Sequence, residues 1–376
     1  MLQNLTRRLA LAVVFAAHAV AASGQAPAAR ASSATTPSED LLKVGFVYVS
    51  PIGEAGWTYQ HDLGRRAMEQ ALAGRVRSTV VESVSEGADS ERVIRDLARQ
   101  GHRLVFATSF GYLEATLRVA ADFPGAAFEH AGGYKTAPNV GTYDARWYEG
   151  RYLAGLIAGG ASRSGVAGYV AGFPVPEVVQ GLNAFTLGMR AVNPNAKVKV
   201  VWLDSWFDPA REAEAATALV DQGADILANH TASPAVAQVA QRYAASKGVR
   251  FLGYQSDMRA YAPDAQLASV TQHWGSFYTA TARAVLEGRW KPEAVQGGLR
   301  DGMVALEAVD PRLPAALRSR VDAARRAIIA GSLQPFAAPL VDNRGTVRLA
   351  HGTLSDAAIR RMDWLVEGVV GSVPGS

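Results

Sequence analysis

The chain has 376 residues, of which 49% are hydrophobic and 19% are charged. This length favours two domains, and the composition is sufficient for large hydrophobic cores. The formal net charge is only +4 and no long basic block occurs, which argues against a nucleic-acid partner. Because the chain has no cysteine, it can form neither a disulfide nor a zinc–thiolate site.

The N-terminus has the pattern of a cleavable export signal, predicted to span residues 1–22. Arg7 and Arg8 precede an apolar run from Leu9 to Val20 that is too short to span a bilayer. The arginine pair leaves both general secretion and twin-arginine export open. Residues 23–42 are expected to form a flexible leader, since they are rich in Ala, Ser, Thr and Pro. There is no cysteine to carry a lipid anchor, so we predict a soluble periplasmic protein.

The first predicted structural unit is Lys43–Asp62, which reads as a strand, a loop and the start of a helix. Val44–Val49 is rich in β-branched and aromatic residues and is followed by Pro51, which ends a strand. In doubly wound α/β sheets, ligands lie beyond the carboxyl ends of the strands. Trp57 lies at such a position, so it is a candidate ligand contact. The alternative is that Trp57 packs onto its own domain.

Strands and helices then alternate along the chain, which predicts parallel sheets flanked by helices. Asp89 or Ser90 is a candidate cap for the second helix, and Asp208 for a later one. A long apolar helix, Trp147–Ala161, separates two series of similar size and therefore predicts two lobes. Tail segments after the second series are expected to run back between the lobes. Further predicted elements include Val166–Ala171 as a strand, Pro176 as the start of a helix, and Ala315–Ala330 as a helix.

The predicted strand ends carry more aromatic side chains than charges. Such a cleft suits a flat, mostly neutral ligand that is held by stacking and a few polar groups. It lacks the glycine-rich turns and basic residues that a phosphate needs. Gln255 is also at a strand end. The residues that we select as ligand contacts are Trp57, Tyr59, Ser109, Phe110, Glu129, Tyr143, Trp206, His230, Asp257 and Trp274.

The sequence lacks the usual signatures of an enzyme. There is no Gly-x-Ser-x-Gly elbow and no Walker loop. Glu129 and Asp257 could form an acid–base pair, but nothing local places a nucleophile beside them. The histidines are too scattered to suggest a metal site. We therefore predict no catalytic residue, no cofactor and no metal.

Several stretches resemble the basic membrane protein family of ABC-transporter substrate-binding proteins, which are type I periplasmic binding proteins. The resemblance covers about 43–333, and its most specific motifs are Tyr-Leu-Ala-Gly after Arg151 and Ser-Trp-x-Asp-Pro at Ser205–Pro209. It implies a two-lobed α/β fold with a three-strand hinge. The expected strands between the lobes lie near Tyr143, Gly253–Asp257 and Gln272. The expected division is 43–143 plus 273–291, 144–272 plus 292–335, and a C-terminal extension, 336–376.

The resemblance also implies a purine ligand, because characterised relatives bind purine nucleosides between aromatic side chains. Trp57 matches a stacking aromatic of the family, and Asp257 matches an acidic ligand contact. Two ribose contacts of the family are replaced, in the loop Ser50–Gly53 and at Thr271–Trp274. Trp274 is expected to fill the space of a ribose. Motifs such as Gly-Trp-Thr-Tyr-Gln-His-Asp and Val-Pro-Glu-Val-Val-Gln-Gly resemble a subgroup associated with free adenine.

The resulting hypothesis is a monomeric binding protein that delivers a purine nucleobase, adenine first, to an ABC permease in the inner membrane. Three alternatives remain open. The ligand could be a purine nucleoside, the protein could be a ligand-sensing subunit for a membrane receptor, or it could be an exported nucleoside hydrolase.

Overall fold

The computed structural model describes residues 41–375. The predicted signal, 1–22, and nearly all of the predicted leader lie outside these residues. Leu42, which was assigned to the leader, already begins the first strand. Within residues 41–375, no helix is long and apolar enough to cross a membrane.

The first lobe is built on a sheet of six parallel strands. The strands are β1 Leu42–Val47, β2 Val76–Val81, β3 Leu104–Ala107, β4 Ala127–Ala131, β5 Val140–Ala145 and β11 Ala294–Gly297. Their order across the sheet is β11-β5-β4-β3-β1-β2, with all neighbours parallel. The accompanying helices are α1 Trp57–Ala71, α2 Ala88–Arg99, α3 Leu113–Asp122 and α8 Gly275–Leu286, with a short 3-10 turn at Phe110–Tyr112.

The second lobe is built on a sheet of seven strands. They are β6 Val166–Ala171, β7 Lys197–Trp202, β8 Ile226–His230, β9 Arg250–Gln255, β10 Gln266–Gln272, β12 Val304–Glu307 and β15 Val369–Val370. Their order is β12-β10-β9-β8-β6-β7-β15, and β12 alone is antiparallel to its neighbour. The helices are α4 Trp147–Ala161, α5 Pro176–Val192, α6 Pro209–Asp221, α7 Ala235–Lys247 and α9 Ala315–Ala330.

The C-terminal residues 336–375 are packed onto the second lobe. They form the strand pair β13 Leu340–Val341 and β14 Val347–Leu349, the short helix α10 Asp356–Ile359, and β15. β15 lies at the edge of the second sheet beside β7. On α5, the buried Asn183 accepts a hydrogen bond from Val366 N and donates one to Trp364 O. We therefore assign this extension to the second lobe.

The chain passes between the lobes three times. Two crossings are where the sequence predicted them, from β5 into α4 after Tyr143 and from β10 into α8 after Gln272. The third runs from β11 to β12 and not through Gly253–Asp257, because β9 and β10 are neighbours in the same sheet. For the same reason, placing residues 292–335 wholly in the second lobe is wrong at β11, which pairs with β5.

Most element predictions are confirmed, but one helix cap is wrong. Asp208 caps α6 by accepting a hydrogen bond from Arg211 N at 3.1 Å. α2 instead begins at Ala88 after Gly87, with no side-chain cap. Ser90 Oγ donates to the carbonyl of Gly87, so it does not serve as the cap.

Helices α4 and α5 pack unusually closely, and this contact positions two residues of the site described below. A Cβ added to Gly155 on α4 would overlap the carbonyl oxygen of Phe185 on α5. A Cβ on Gly188 would likewise overlap the carbonyl oxygen of Tyr152. Since the obstacles are backbone atoms, only glycine permits this approach.

The close packing predicts that Gly155→Ala destabilises the protein. The added methyl group meets helix backbone that cannot rotate away, so we expect a loss of about 1–3 kcal/mol or more. Urea unfolding monitored by circular dichroism measures the midpoint. Gly125→Ala is the control, because a Cβ there meets nothing within 4 Å. Equal midpoints for Gly155→Ala and the control would contradict the close packing.

Candidate functional site

A small cavity lies between the two lobes, in a region with about 430 Å³ of empty space that includes the open solvent at its mouth. Its walls come from the carboxyl ends of strands and the segments that follow them, which is where ligands bind in such sheets. The first lobe contributes Val49, Trp57, Ser109, Phe110 and Ala131. The second lobe contributes Glu177, Trp206, His230, Thr231, Ala232 and Gln255.

Three aromatic side chains give the cavity its flat apolar surfaces. Trp57 opens α1, and its indole Nε1 donates to the carbonyl of Thr108 at 2.7 Å, which fixes the ring. Phe110 opens the 3-10 turn beyond β3. Trp206 follows β7 and packs edge-on against Phe173, with ring centroids 4.9 Å apart. The three rings come from both lobes, so they can enclose a planar ligand.

The polar groups of the cavity are concentrated on the second lobe. Glu177 stands at the first turn of α5, and its Oε1 lies 3.3 Å from Nε2 of His230. Gln255 ends β9 in a left-handed conformation with φ of 71°. A non-glycine residue with this φ is strained by about 1–3 kcal/mol, and such residues cluster at functional sites. The Oε1 atom of Gln255 is buried and has no hydrogen-bond partner within residues 41–375.

A buried charge lies behind these polar groups. Arg151 on α4 is fully buried, donates to the carbonyl of Asn229, and lies over the ring of Tyr254 at 3.6 Å from its centroid. Burial raises the pKa of Glu177, and the positive charge of Arg151 opposes that shift. Asp144 at the end of β5 has its pKa raised by burial and by the nearby Glu177. Burial also holds the pKa of His230 well below its usual value, so this imidazole is neutral at pH 7.

Contacts across the cleft hold the two lobes together around the cavity. Glu86 of the first lobe accepts hydrogen bonds from Ser109 Oγ at 2.6 Å and from Nε1 of Trp206 in the second lobe at 3.2 Å. The amide of Gly56 donates to Ser256 Oγ at 2.6 Å. Gly56 has a φ of 94°, and a Cβ there would overlap the carbonyl oxygen of Ala232. The lobes are therefore in a closed arrangement that requires glycine at this position.

Five of the ten predicted contact residues line the cavity, namely Trp57, Ser109, Phe110, Trp206 and His230. Three others lie along a separate groove that includes α1 and α8, namely Tyr59, Asp257 and Trp274. There Asp257 is paired with Arg259 and accepts a hydrogen bond from Gln266 at 2.7 Å. Trp274 is buried and stacks on His61, so it does not occupy space inside the cavity.

The remaining two predicted contacts are buried inside the first lobe. Glu129 on β4 accepts a hydrogen bond from Trp290 Nε1 at 2.8 Å, and Tyr143 on β5 is 2.9 Å from the hydroxyl of Tyr278. Neither lines the cavity. Burial raises the pKa of Glu129 to about 8, so this carboxyl is an internal neutral acid near pH 7.

Sequence reasoning missed Glu177 as a site residue. It enters the sequence analysis only as the glutamate of the motif Val-Pro-Glu-Val-Val-Gln-Gly, directly after the predicted helix start at Pro176. Gln255 was noted at a strand end but not selected. Arg151 is named there only as the residue before a family motif, and Asp144 is not named, because the importance of both residues follows from burial. Among residues 41–375, no group of His, Asp and Glu side chains could hold a metal ion.

Two lobes of sheet and helix, three crossings and a cavity in the cleft give the architecture of a two-lobed ligand-binding protein. The chain belongs to the family of PnrA-like ABC transporter substrate-binding proteins, whose family model matches residues 41–333. A purine-binding protein of Brucella abortus is 46% identical over 90% of this chain and 95% of its own length.

Two further proteins are similar to this chain, one in sequence and one in fold. A putative ABC transporter glucose-binding protein of Haloferax volcanii is 37% identical over 90% of this chain and 83% of its own length. A solved ABC transporter solute-binding protein from Conexibacter woesei has a TM-score of 0.63 and 22% identity, covering 78% of this chain and 98% of the other. That structure supports the fold alone.

The position of Glu129 predicts a stabilising role with a definite pH dependence. Burial raises its pKa from 4.5 to about 8, so its contribution to stability is complete below about pH 4.5 and is lost as the pH rises through 8. Glu129→Gln should remove this dependence. The difference in unfolding free energy between variant and wild type should change by about 1.4 kcal/mol per pH unit in that window.

Urea unfolding of both proteins between about pH 5.5 and pH 8.5 measures this difference. The amide oxygen of the variant still accepts from Trp290, which makes the substitution a conservative one. Parallel stability curves would show that Glu129 does not change its pKa on folding.

Proposed function

We propose that this protein captures a purine nucleobase, adenine first, and delivers it to the permease of an ABC importer. The observation that carries the proposal is the cavity between the lobes, where Trp57, Phe110 and Trp206 surround a small polar corner. Purine rings are flat, apolar on their faces and polar at their edges, so they match this arrangement. The similarity to a purine-binding protein of Brucella abortus supports the same ligand class.

A free base suits the cavity better than a nucleoside. A bound ribose needs partners for its hydroxyl groups, and each unpaired buried group costs about 1–3 kcal/mol. The hydroxyl protons of the cavity are already used, since Ser109 Oγ donates to Glu86 and Thr231 Oγ1 donates to Glu212 at 2.7 Å, so neither can donate to a ribose hydroxyl. Ser50, in the loop that replaces a ribose contact of the family, is bonded to Thr58 at 2.7 Å. We expect adenosine to bind at least about tenfold more weakly than adenine.

A sugar is the competing ligand, because the Haloferax volcanii relative is named as a putative glucose-binding protein. Sugars require several hydrogen-bonding side chains around the ring, whereas this cavity has three aromatic rings and few unpaired polar atoms. These features favour a purine over glucose.

The proposal includes export and a transporter partner. The predicted signal at residues 1–22 would direct the chain to the periplasm, where the closed, ligand-bound form would dock on the permease in the inner membrane. We expect the protein to be a monomer.

Isothermal titration of the refolded, ligand-free protein tests the ligand. The panel is adenine, guanine, hypoxanthine, adenosine, ribose and glucose. Adenine should bind with a Kd well below about 100 μM, which corresponds to about −5.5 kcal/mol. A panel in which only glucose binds, or in which no purine binds more tightly than that limit, would overturn the proposal.

Stacking on Trp57 predicts that Trp57→Ala weakens adenine. A stacking side chain contributes about 1–3 kcal/mol per base, so Kd should rise about ten- to hundredfold. Trp202→Ala is the matched control. That tryptophan is on β7, donates to the carbonyl of Ser372 and does not line the cavity. Equal affinity for wild type and Trp57→Ala would remove Trp57 from the site.

Lobe closure predicts that adenine reduces the radius of gyration, because a ligand held by both lobes stabilises the closed form over the open one. Gly56→Ala should abolish this decrease, since its Cβ would overlap the carbonyl oxygen of Ala232 across the cleft. Gly53→Ala is the control. Its φ of 57° is equally left-handed, but a Cβ there meets only Ala55 O at 3.9 Å, within its own loop.

Small-angle scattering with and without saturating adenine measures the change for each protein. An unchanged radius of the wild type with saturating ligand would contradict closure. A normal decrease for Gly56→Ala would contradict the proposed contact between Gly56 and the second lobe.

A further inference from the structure

The two carboxylate oxygens of Glu177 have different surroundings. Oε1 lies 3.3 Å from Nε2 of His230, within the second lobe. Oε2 faces the first lobe, since a Cβ added to Gly132 would lie 3.6 Å from Oε2 and 3.7 Å from the ring of Phe110. The side chain is 14% exposed and lines the cavity. Oε2 is therefore placed to meet the edge of a ring that is enclosed between the lobes.

The buried charges around Glu177 do not balance if both nearby acids are ionised. Arg151 supplies one buried positive charge, and Asp144 and Glu177 supply two carboxyl groups. Arg360 also acts on Asp144, but its side chain is exposed and its charge is therefore screened by solvent. A single proton shared between the two acids makes the cluster neutral, and buried clusters favour neutrality because an unpaired charge is costly to desolvate. Asp144 Oδ1 accepts hydrogen bonds from Ala145 N at 2.7 Å and Trp147 Nε1 at 3.0 Å, which favour its ionised form.

We propose, resting on the proposed purine-binding function, that Glu177 binds the N7 and 6-amino edge of adenine as a neutral carboxylic acid, and that at this edge it selects a 6-amino group over the 6-oxo group of guanine and hypoxanthine. A protonated carboxyl group presents one donor and one acceptor side by side. The N7 and 6-amino edge of adenine presents the complementary acceptor and donor, whereas guanine and hypoxanthine present two acceptors at N7 and O6. An ionised carboxylate, which only accepts, cannot hydrogen-bond to N7.

Gln255 offers the ligand a second polar contact that does not itself discriminate between purines. Its side chain is buried, lines the cavity and has an Oε1 with no hydrogen-bond partner within residues 41–375. A glutamine amide combines an acceptor with two donors, so it can pair with any remaining purine edge. The discrimination between amino and oxo groups therefore falls to Glu177.

The proposal predicts that adenine binding weakens as the pH rises. The pKa of Glu177 is raised by burial, so the acid is protonated at lower pH and ionises as the pH rises through that raised value. The other groups that face it are Arg151, Asp144, His230, Tyr169 and Tyr254. Arg151 stays charged, His230 stays neutral, and the raised pKa values of both tyrosines keep them protonated. Asp144 is thus the only other group among these that can titrate in the same range.

Titrations of adenine between about pH 5.5 and pH 8.5 test the proposal, with three proteins compared. For wild type, Kd should rise at least about tenfold over this range. Glu177→Gln keeps one donor and one acceptor at every pH, so it should retain adenine binding and lose the pH dependence. Asp144→Asn removes the neighbouring negative charge, so the loss of affinity should persist and move to lower pH.

A measurement on the wild type alone does not depend on the folding of any variant. Calorimetric titrations near pH 8 in buffers of different ionisation enthalpy should show proton uptake when adenine binds. Hypoxanthine should bind at least about tenfold more weakly than adenine to the wild type at about pH 6.

The outcomes separate this proposal from the proposed function. If the wild type binds no purine, the proposed function fails. If adenine binds without proton uptake, or if Glu177→Gln keeps the wild-type pH dependence, the role of Glu177 is overturned while purine binding stands. If Asp144→Asn abolishes the dependence, the titrating acid is Asp144 and the proposal is likewise overturned.

Discussion

The buried guanidinium of Arg151 is the constraint on which the site depends. It lies within the second lobe over the ring of Tyr254 and donates to the carbonyl of Asn229, but Nε and Nη1 have no hydrogen-bond partner within residues 41–375. A buried cation needs nearby negative charge, because contacts with an aromatic ring and one carbonyl do not offset the free energy of its desolvation. Glu177 on α5 interacts with Arg151, and Asp144 on β5 interacts with Glu177, so that with one shared proton the two acids supply a single negative charge. The requirement to balance Arg151 therefore accounts for a pair of acids with one net negative charge.

These two acids belong to different lobes, which links the electrostatics to closure. Asp144 ends a strand of the first sheet, whereas Glu177 begins a helix over the second. Bringing the lobes together moves one carboxyl toward the other, and this favours uptake of a proton. Closure also depends on Gly56, whose missing side chain leaves room for the carbonyl of Ala232. Closure of the cleft thus depends on the small size of Gly56 and on the charges of Asp144 and Glu177.

Much of the fold was predictable because its signals are local. The bounds of Trp147–Ala161, Val166–Ala171 and Ala315–Ala330 agree with the sequence, since apolar period and flanking turn residues define them. The third crossing was not predictable, because β11 is a four-residue strand whose sheet is chosen by pairing with β5. The sequence likewise did not indicate which lobe residues 336–375 pack against, since β15 is two residues long and joins the second sheet only by pairing with β7.

A site residue was predictable only where its position after a strand is enough to place its side chain in the cleft. Trp57 and Trp206 lie in the segments that come after β1 and β7, so the rule about strand ends places them at the cavity. The same rule fails for Asp257, because Arg259 and Gln266 draw its carboxylate into a different groove. It passes over Glu177, which begins a helix and gains its properties from charges far away in sequence. The aromatic residues of the cavity can thus be predicted from the order of strands and helices in the sequence. The polar residues that would distinguish one purine from another cannot, because their positions and charges depend on tertiary packing.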